Sequence, residues 1–464
     1  MMKVLLVKTL NRRPLSNEDV GVPLGLLYLA SNIQARCPKT EVKIFDSRLE
    51  KLNDNYSKLQ NKIKKADIVG VGACTSEFSS ACEILSKAKR EGKITIMGGI
   101  FPTTNADFVL KLRYADYIVR GEGEETITEL INALENNKPL ENIKGISYIK
   151  NNVVKHNPDR ELIKNIDSLP KLDYGLIKIK KYIKYARAPI YSSRGCSNNC
   201  KFCTLKSFWQ GCNREQSIKR TLDEVLVLKS LGYKKISFKD ETMNLNKKRT
   251  AKLISSLKKE NLEIKIKLMP YDLPEEFLSS IIKNGVNEIQ LGVESINVKT
   301  TKEMHKRHLG RYQLEKKMNT IISNNCVINP IFLLGWPGED EKLISKTKYF
   351  ISEWSQKPNT KIYLSFTTPH PGTDFFDYCR KKMNILSFDL DKYTHLFPVA
   401  VPKSLGQNGL EKLVGAYHEI TDQNNLHQLN PPIKYEELLP LIVMEEKIWK
   451  LKLKQTASNR HSQK

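Results

Sequence analysis

Cysteine is scarce in this chain, at nine residues in 464. No stretch approaches the 18 consecutive apolar residues of a membrane span, so a membrane partner is not expected. The opening run MMKVLLVKTLNRR is too short for a signal peptide and has no small-residue cleavage site, which points to the cytoplasm. Thiols stay reduced there, so clustered cysteines point to metal binding or catalysis rather than disulfides. Acidic residues are in deficit, 51 Asp and Glu against 76 Lys and Arg, for a net charge of +25. A dense arginine block is also missing. The excess is lysine spread over helical stretches, the pattern of solvated faces, so a nucleic-acid partner is not expected either. A disordered majority is excluded by ordinary globular composition, 40% hydrophobic and 27% charged, over a length sufficient for two or three domains.

What is present is a double alternation of strands and helices. Over residues 1–140, KVLLVKTL, EVKIFDS, DIVGVGACT, KITIMGG and YADYIVRGEGE alternate with helical spacers such as LGLLYLASNIQ and EILSKAKREG. Near-continuous Val/Ile runs predict a parallel sheet covered on both faces, a doubly wound domain of about five strands with ligands at their carboxyl ends. Residues 141–187 read as a connector in which GISYIK, Asn151-Asn152 and VVKHN form a hairpin with a two-residue turn. From 188 to 385 six further strands, APIYSSRG, KISFKDE, EIKIKLMPYD, NEIQLGVES, INPIFLLGWPGE and KIYLSFTTPHPGT, predict a β/α barrel or partial barrel. Residues 386–464 lose this rhythm and read as a small C-terminal extension ending in the basic tail LKLKQTASNRHSQK. The fold class is therefore α/β throughout.

Three of the nine cysteines, Cys196, Cys200 and Cys203, fall within SRGCSNNCKFC. Three thiolates after the first barrel strand can hold three irons of a cubane and leave the fourth open for chemistry. The competing reading is a structural zinc site completed by Cys212, but TLKSFWQG between Cys203 and Cys212 supplies no second knuckle. Cys212, Cys326 and Cys379 otherwise read as small core residues.

The spacing, the aromatic Phe202 before the third cysteine and the position after strand one resemble the radical S-adenosylmethionine (radical SAM) superfamily. The resemblance implies a 4Fe-4S cluster on Cys196, Cys200 and Cys203, which binds SAM and cleaves it to a 5′-deoxyadenosyl radical, with an external electron donor such as flavodoxin or ferredoxin. Phe202 is carried into the SAM site by the same resemblance. Asp240 and Glu241 match the motif that accepts the SAM ammonium, and the sequence does not separate them. Glu294 and Ser295 match the ribose-contacting position, and Gly335, in PIFLLGWPGE, matches the strand whose backbone lies against adenine. Gly338 adds a second flexible point there. Taken singly, each motif reads equally as a helix cap or barrel-end turn, and their order behind the triplet carries the weight. His305, Lys306 and Arg307 read as a solvated helix face.

The first domain resembles the cobalamin-binding (B12) subclass through VPLGLLYLAS, MGGIFPTTNAD and YIVRGEGEETI. The resemblance implies cobalamin contacts at Thr75, Ser76, Gly98, Gly99, Gly121 and Gly123, although such glycines also make the tight turns of any doubly wound fold. Two departures stand out. The first histidine is His156, so no lower axial histidine can come from this domain, and GGIFPTT lacks the proline and histidine that commonly follow the glycine pair. The implied activity is cobalamin-dependent radical SAM methyl transfer to an unactivated centre of an unspecified substrate. One alternative is a radical SAM methylthiotransferase acting on tRNA, with a second cluster on Cys37, Cys74 and Cys82; another is a non-catalytic zinc-bearing nucleic-acid binding protein.

Overall fold

A computed structural model describes residues 1–9, 20–49 and 52–423. The expected basic tail lies outside the described residues. Among those described, no helix is long and apolar enough to cross a membrane. The chain falls into two compact units, residues 1–199 with 203–290, and residues 200–202 with 291 onward.

The first unit opens with five strands, β1 (Met2–Lys8), β2 (Thr40–Asp46), β3 (Ile68–Gly72), β4 (Ile94–Gly98) and β5 (Tyr117–Val119). Val4, Leu5, Leu6 and Val7 are each at most 2% exposed, so both faces of β1 are covered, as its unbroken apolar run requires. The helix Phe78–Arg90 buries Phe78, Ala81, Cys82, Leu85 and Ala88, a stripe at helical spacing. The sheet order is β2-β1-β3-β4-β5, parallel throughout, which puts the topological switch between β1 and β3.

The expected hairpin exists, as β6 (Ile146–Lys150) and β7 (Val153–His156). Asn151 and Asn152 take φ of +51° and +60°, the left-handed pair that a two-residue turn of this kind needs. It does not stand apart as a connector, however. β6 pairs antiparallel with β5, making a seven-stranded sheet, so the first domain extends past the expected boundary at 140. The reason is the edge of the three-residue β5, whose open hydrogen-bonding groups β6 covers while burying Ile146, Ser147 and Tyr148.

The chain continues through β8 (Ala188–Ile190), β9 (Ser193–Gly195), β10 (Asn213–Glu215), β11 (Lys235–Phe238), β12 (Glu263–Leu268), β13 (Val286–Glu294), β14 (Val327–Leu334) and β15 (Tyr363–Phe366). Six of these form an open half-barrel sheet in the order β15-β14-β13-β12-β11-β8, while β9 and β10 pair separately and antiparallel. The second unit closes with an antiparallel pair, β16 (Met383–Ile385) and β17 (Ala400–Pro402), and the helix Gly409–Gln423. The boundary expected at 385 cuts this pair. Up to residue 423 the extension is packed: Tyr417 stacks on Phe366 of β15 with ring centroids 4.6 Å apart, and Val399, Leu413 and Ile420 are fully buried.

Candidate active site

The cysteine loop leaves β9 rather than the main-sheet strand β8. Gly195 has φ +90°, and a Cβ there would lie 2.0 Å from the Cys212 carbonyl oxygen, so only glycine permits β9 and β10 to close around residues 196–212. Within the loop the Cys196 sulfur accepts hydrogen bonds from the Asn198 side-chain amide at 3.2 Å and its backbone N–H at 3.4 Å. Burial raises the Cys203 thiol, while the backbone amides of Leu205 and Lys206 work the other way. Donors aimed at sulfur favour a thiolate or a metal-bound sulfur, so the loop fits a cluster. Cys379, by contrast, is fully buried and pushed up to about 12 by that burial. Cys326 is a core residue too, but Cys212 is exposed, contrary to expectation, because it sits where β10 begins at the surface. Among the described residues no three of His, Cys, Asp or Glu converge on a single-ion position. A cubane takes one protein thiolate per iron, so its ligands need not converge in that way.

The two carboxylates after β11 separate cleanly. Asp240 is 1% exposed and accepts from Ser192 N–H at 3.0 Å, Ser192 Oγ at 2.7 Å and Ser193 Oγ at 2.5 Å. Arg249 in turn donates to Ser192, so Asp240 serves as the anchor of the turn from β8 to β9. Glu241 makes none of these bonds. Burial raises its carboxyl, Lys267 acts against the rise and Asp240 with it.

In the second unit Glu294 ends β13 with φ +64°, a left-handed conformation uncommon outside glycine. Its carboxylate meets Lys306 Nζ at 3.0 Å, and the same ammonium donates to Gly292 O at 2.8 Å. Lys306 is 6% exposed, which corrects the expectation of a solvated face. The short helix Val298–Glu303 ends at Met304, and the chain turns back to bring Lys306 under β13. Ser295 Oγ accepts from Asn297 N–H at 3.1 Å and so shapes that turn. Phe202 sets its edge against Trp336, centroids 6.2 Å apart.

Gly335, at φ +79°, donates its N–H to Glu339 at 2.9 Å, and Trp336 donates to the same oxygen at 3.0 Å. Glu339 is 2% exposed, and burial pushes its carboxyl up to about 7. Sequence reasoning took the glycines of GWPGE and missed this glutamate; the signal was a carboxylate four residues beyond a glycine needing its amide held. Gly338, at φ +94°, faces open space among the described residues.

In the first domain Thr75 and Ser76 lie buried in the turn after β3, beside the switch point. Gly99, at φ +97°, is packed on Ala73, whose carbonyl oxygen a Cβ would meet at 2.7 Å; Gly98 faces Val119 O at 3.2 Å. Both therefore answer to sheet packing. Gly72 and Gly121 differ: a Cβ on either would meet no described atom within 4 Å, the open ground a flat ligand needs at strand ends. Gly123 begins the helix Gly123–Glu135, and Glu124 and Glu125 in its first turn complement the dipole. The intervening Glu122 is 6% exposed and bonds Arg194 Nη1 at 2.8 Å and Arg214 Nη1 at 2.6 Å; Arg194 also meets Glu124 at 2.8 Å. His156 lies on the edge strand β7, at the far side of the sheet from β1 and β2, against Asp107 and Ser147.

Two family models match the chain: the radical SAM superfamily over residues 190–348 and the B12 binding domain over residues 16–131. An uncharacterized methyltransferase of Pyrococcus horikoshii is 30% identical, covering 89% of this chain and 91% of the relative. The anaerobic magnesium-protoporphyrin IX monomethyl ester cyclase of Rubrivivax gelatinosus is 27% identical over 84% of this chain and 71% of its own. Among solved structures, the radical SAM methyltransferase TsrM from Kitasatospora setae, with tryptophan substrate and a SAM analog bound, superposes with a TM-score of 0.74 at 16% identity, covering 94% of this chain and 92% of that one. The cobalamin-dependent SAM radical enzyme OxsB with aqua-cobalamin gives 0.70 at 17% identity, covering 97% and 72%.

Proposed function

This chain belongs to the radical SAM superfamily, in its cobalamin-binding subclass, and from that membership we propose that it transfers a methyl group to an unactivated centre of its substrate. When bound, the 4Fe-4S cluster supplies the reducing electron, SAM the radical and cobalamin the methyl carrier. The observation that carries this reading is the glycine-gated loop of Cys196, Cys200 and Cys203, with its amide donors on sulfur, behind a doubly wound domain whose strand ends are open at Gly72 and Gly121.

The protein's own residues have distinct tasks. Cys196, Cys200 and Cys203 would each hold one iron. Glu241, rather than the already saturated Asp240, would accept the SAM ammonium, a charge-assisted bond for which its partial desolvation is suited. Glu294 keeps one oxygen for a ribose hydroxyl while Lys306 fixes the other. Glu339 locks the Gly335 turn, so that backbone can lie flat against an adenine. Thr75 and Ser76, at the switch point, would contact cobalamin, with Gly121 leaving room; no histidine of the parallel strands is placed to bind cobalt. The electron would come from a flavodoxin or ferredoxin, in the cytoplasm.

The methylthiotransferase alternative needs Cys37, Cys74 and Cys82 to converge. Cys37 follows the helix Leu24–Arg36 at the amino end of the parallel strands, and Cys74 follows β3 at their carboxyl end. The five residues of β3 alone span about 16 Å, too far for one cluster. Ring formation, as in the cyclase relatives, remains the nearest other outcome of the same machinery.

Anaerobic purification with cobalamin supplied, followed by iron and sulfide reconstitution, tests the reading. About four irons per chain, cobalamin absorption and reductant-dependent deoxyadenosine are expected. Stoichiometric zinc without iron would overturn it.

A further inference from the structure

A chain of hydrogen bonds, buried at its start and half-buried at the cysteine loop, runs from the turn after β11 to the Cys196 sulfur. Thr242 Oγ1 donates to Asn244 Oδ1 at 2.7 Å, and that oxygen also accepts from Met269 N–H at 2.9 Å. The Asn244 amide donates to the carbonyls of Met269 and Tyr271, each at 3.2 Å, so this asparagine clamps the segment after β12. The Tyr271 hydroxyl then donates to Asn198 Oδ1 at 3.0 Å, and Asn198 Nδ2 donates to Cys196 Sγ at 3.2 Å. Thr242, Asn244 and Tyr271 are at most 9% exposed.

The arrangement fixes the sense of the Asn198 amide. An asparagine beside a sulfur can present either its oxygen or its NH2. The Tyr271 proton occupies the oxygen, and the NH2 is left facing sulfur. We propose that Tyr271 and Asn198 are positioning residues that set the reduction potential of the cluster through the Cys196 sulfur. Reduction adds negative charge that spreads onto the ligand sulfurs. An N–H donor directed at sulfur offsets that charge, stabilises the reduced form and raises the potential. Nothing in the cysteine spacing encodes this, since the hydroxyl comes from a residue 73 positions away.

The inference rests on Cys196 being a cluster ligand, so iron is measured in every sample. Reconstituted wild type, Asn198→Ala and Tyr271→Phe are titrated without SAM, with the reduced cluster read by electron paramagnetic resonance. At the wild-type midpoint, the reduced-to-oxidised ratio of Asn198→Ala is expected to fall severalfold, a tenfold fall being about 59 mV for one electron. Tyr271→Phe should fall in the same direction by less, because its freed amide still faces sulfur part of the time. An unchanged ratio in either variant at full iron content overturns the proposal. Should Asn198→Ala lose iron, Tyr271→Phe decides, and loss of iron from it as well would assign the pair a purely structural role. Full iron in Cys196→Ala would instead strike the cluster reading itself.

Discussion

Single side chains set the two carboxylates after β11 apart. Asp240 is held by Ser192 and Ser193, which lie 48 and 47 residues earlier, and Glu241 makes none of these bonds. Adjacent in the sequence, the two cannot be told apart there, because what separates them is a long-range contact. Lys306 shows the same limit. In a chain with 76 basic residues nothing local marks the one that turns back onto Glu294. Replacing Lys306 with Met should leave the Glu294 carboxylate buried without its counter-charge and cost about 3–5 kcal/mol, read by chemical denaturation. The cysteine triplet stands out in the sequence because its three thiols sit in one loop. Cys200→Ala should hold less than the full cluster and lose SAM cleavage while the far-ultraviolet dichroism stays that of the wild type; retained cleavage would remove Cys200 from the ligand set.

Among the elements, the turn from Gly335 to Glu339 carries a pH signature. Its glutamate titrates at about 7 in the folded protein, against 4.5 for an ordinary one, because burial penalises the charged form. Between those values the native state keeps a proton that the unfolded chain releases, so stability falls as pH rises from about 4.5 to about 7, by about 3 kcal/mol in total. Glu339→Gln keeps an oxygen for the two backbone amides and has nothing to ionise. Denaturation at pH 5 and pH 8 should show a smaller difference in the variant than in the wild type, and equal differences would place the titration elsewhere. Strand and helix alternation made both sheets readable, down to the Asn151-Asn152 turn. The hairpin's allegiance to the first sheet was not, since pairing with the β5 edge depends on which open strand lies within reach. Nor was the packing of Leu413 and Tyr417 visible once the strand rhythm stopped.

At the scale of the molecule, Glu122 joins the doubly wound sheet of the first unit to the β9–β10 pair around the cysteine loop. Its carboxylate takes Arg194, two residues before the cysteine loop, and Arg214, just after it. Burial alone would work against the Arg194 charge, but Glu124 and Glu122 outweigh it and hold the guanidinium protonated. Glu122→Ala should leave Arg214 without its carboxylate and Arg194 with Glu124 alone, and cost about 3 kcal/mol, seen as a lower thermal midpoint of the apoprotein; an unshifted midpoint would mean the network is incidental. The two matched family models cover residues 16–131 and 190–348 without sharing a position, which makes the chain look like two interchangeable parts. Glu122 says otherwise. Grafting the first domain of a relative onto this barrel means supplying an acid at the position of Glu122 for the two arginines it serves, and a barrel cut free at residue 188 would leave Arg194 and Arg214 without the carboxylates that meet them.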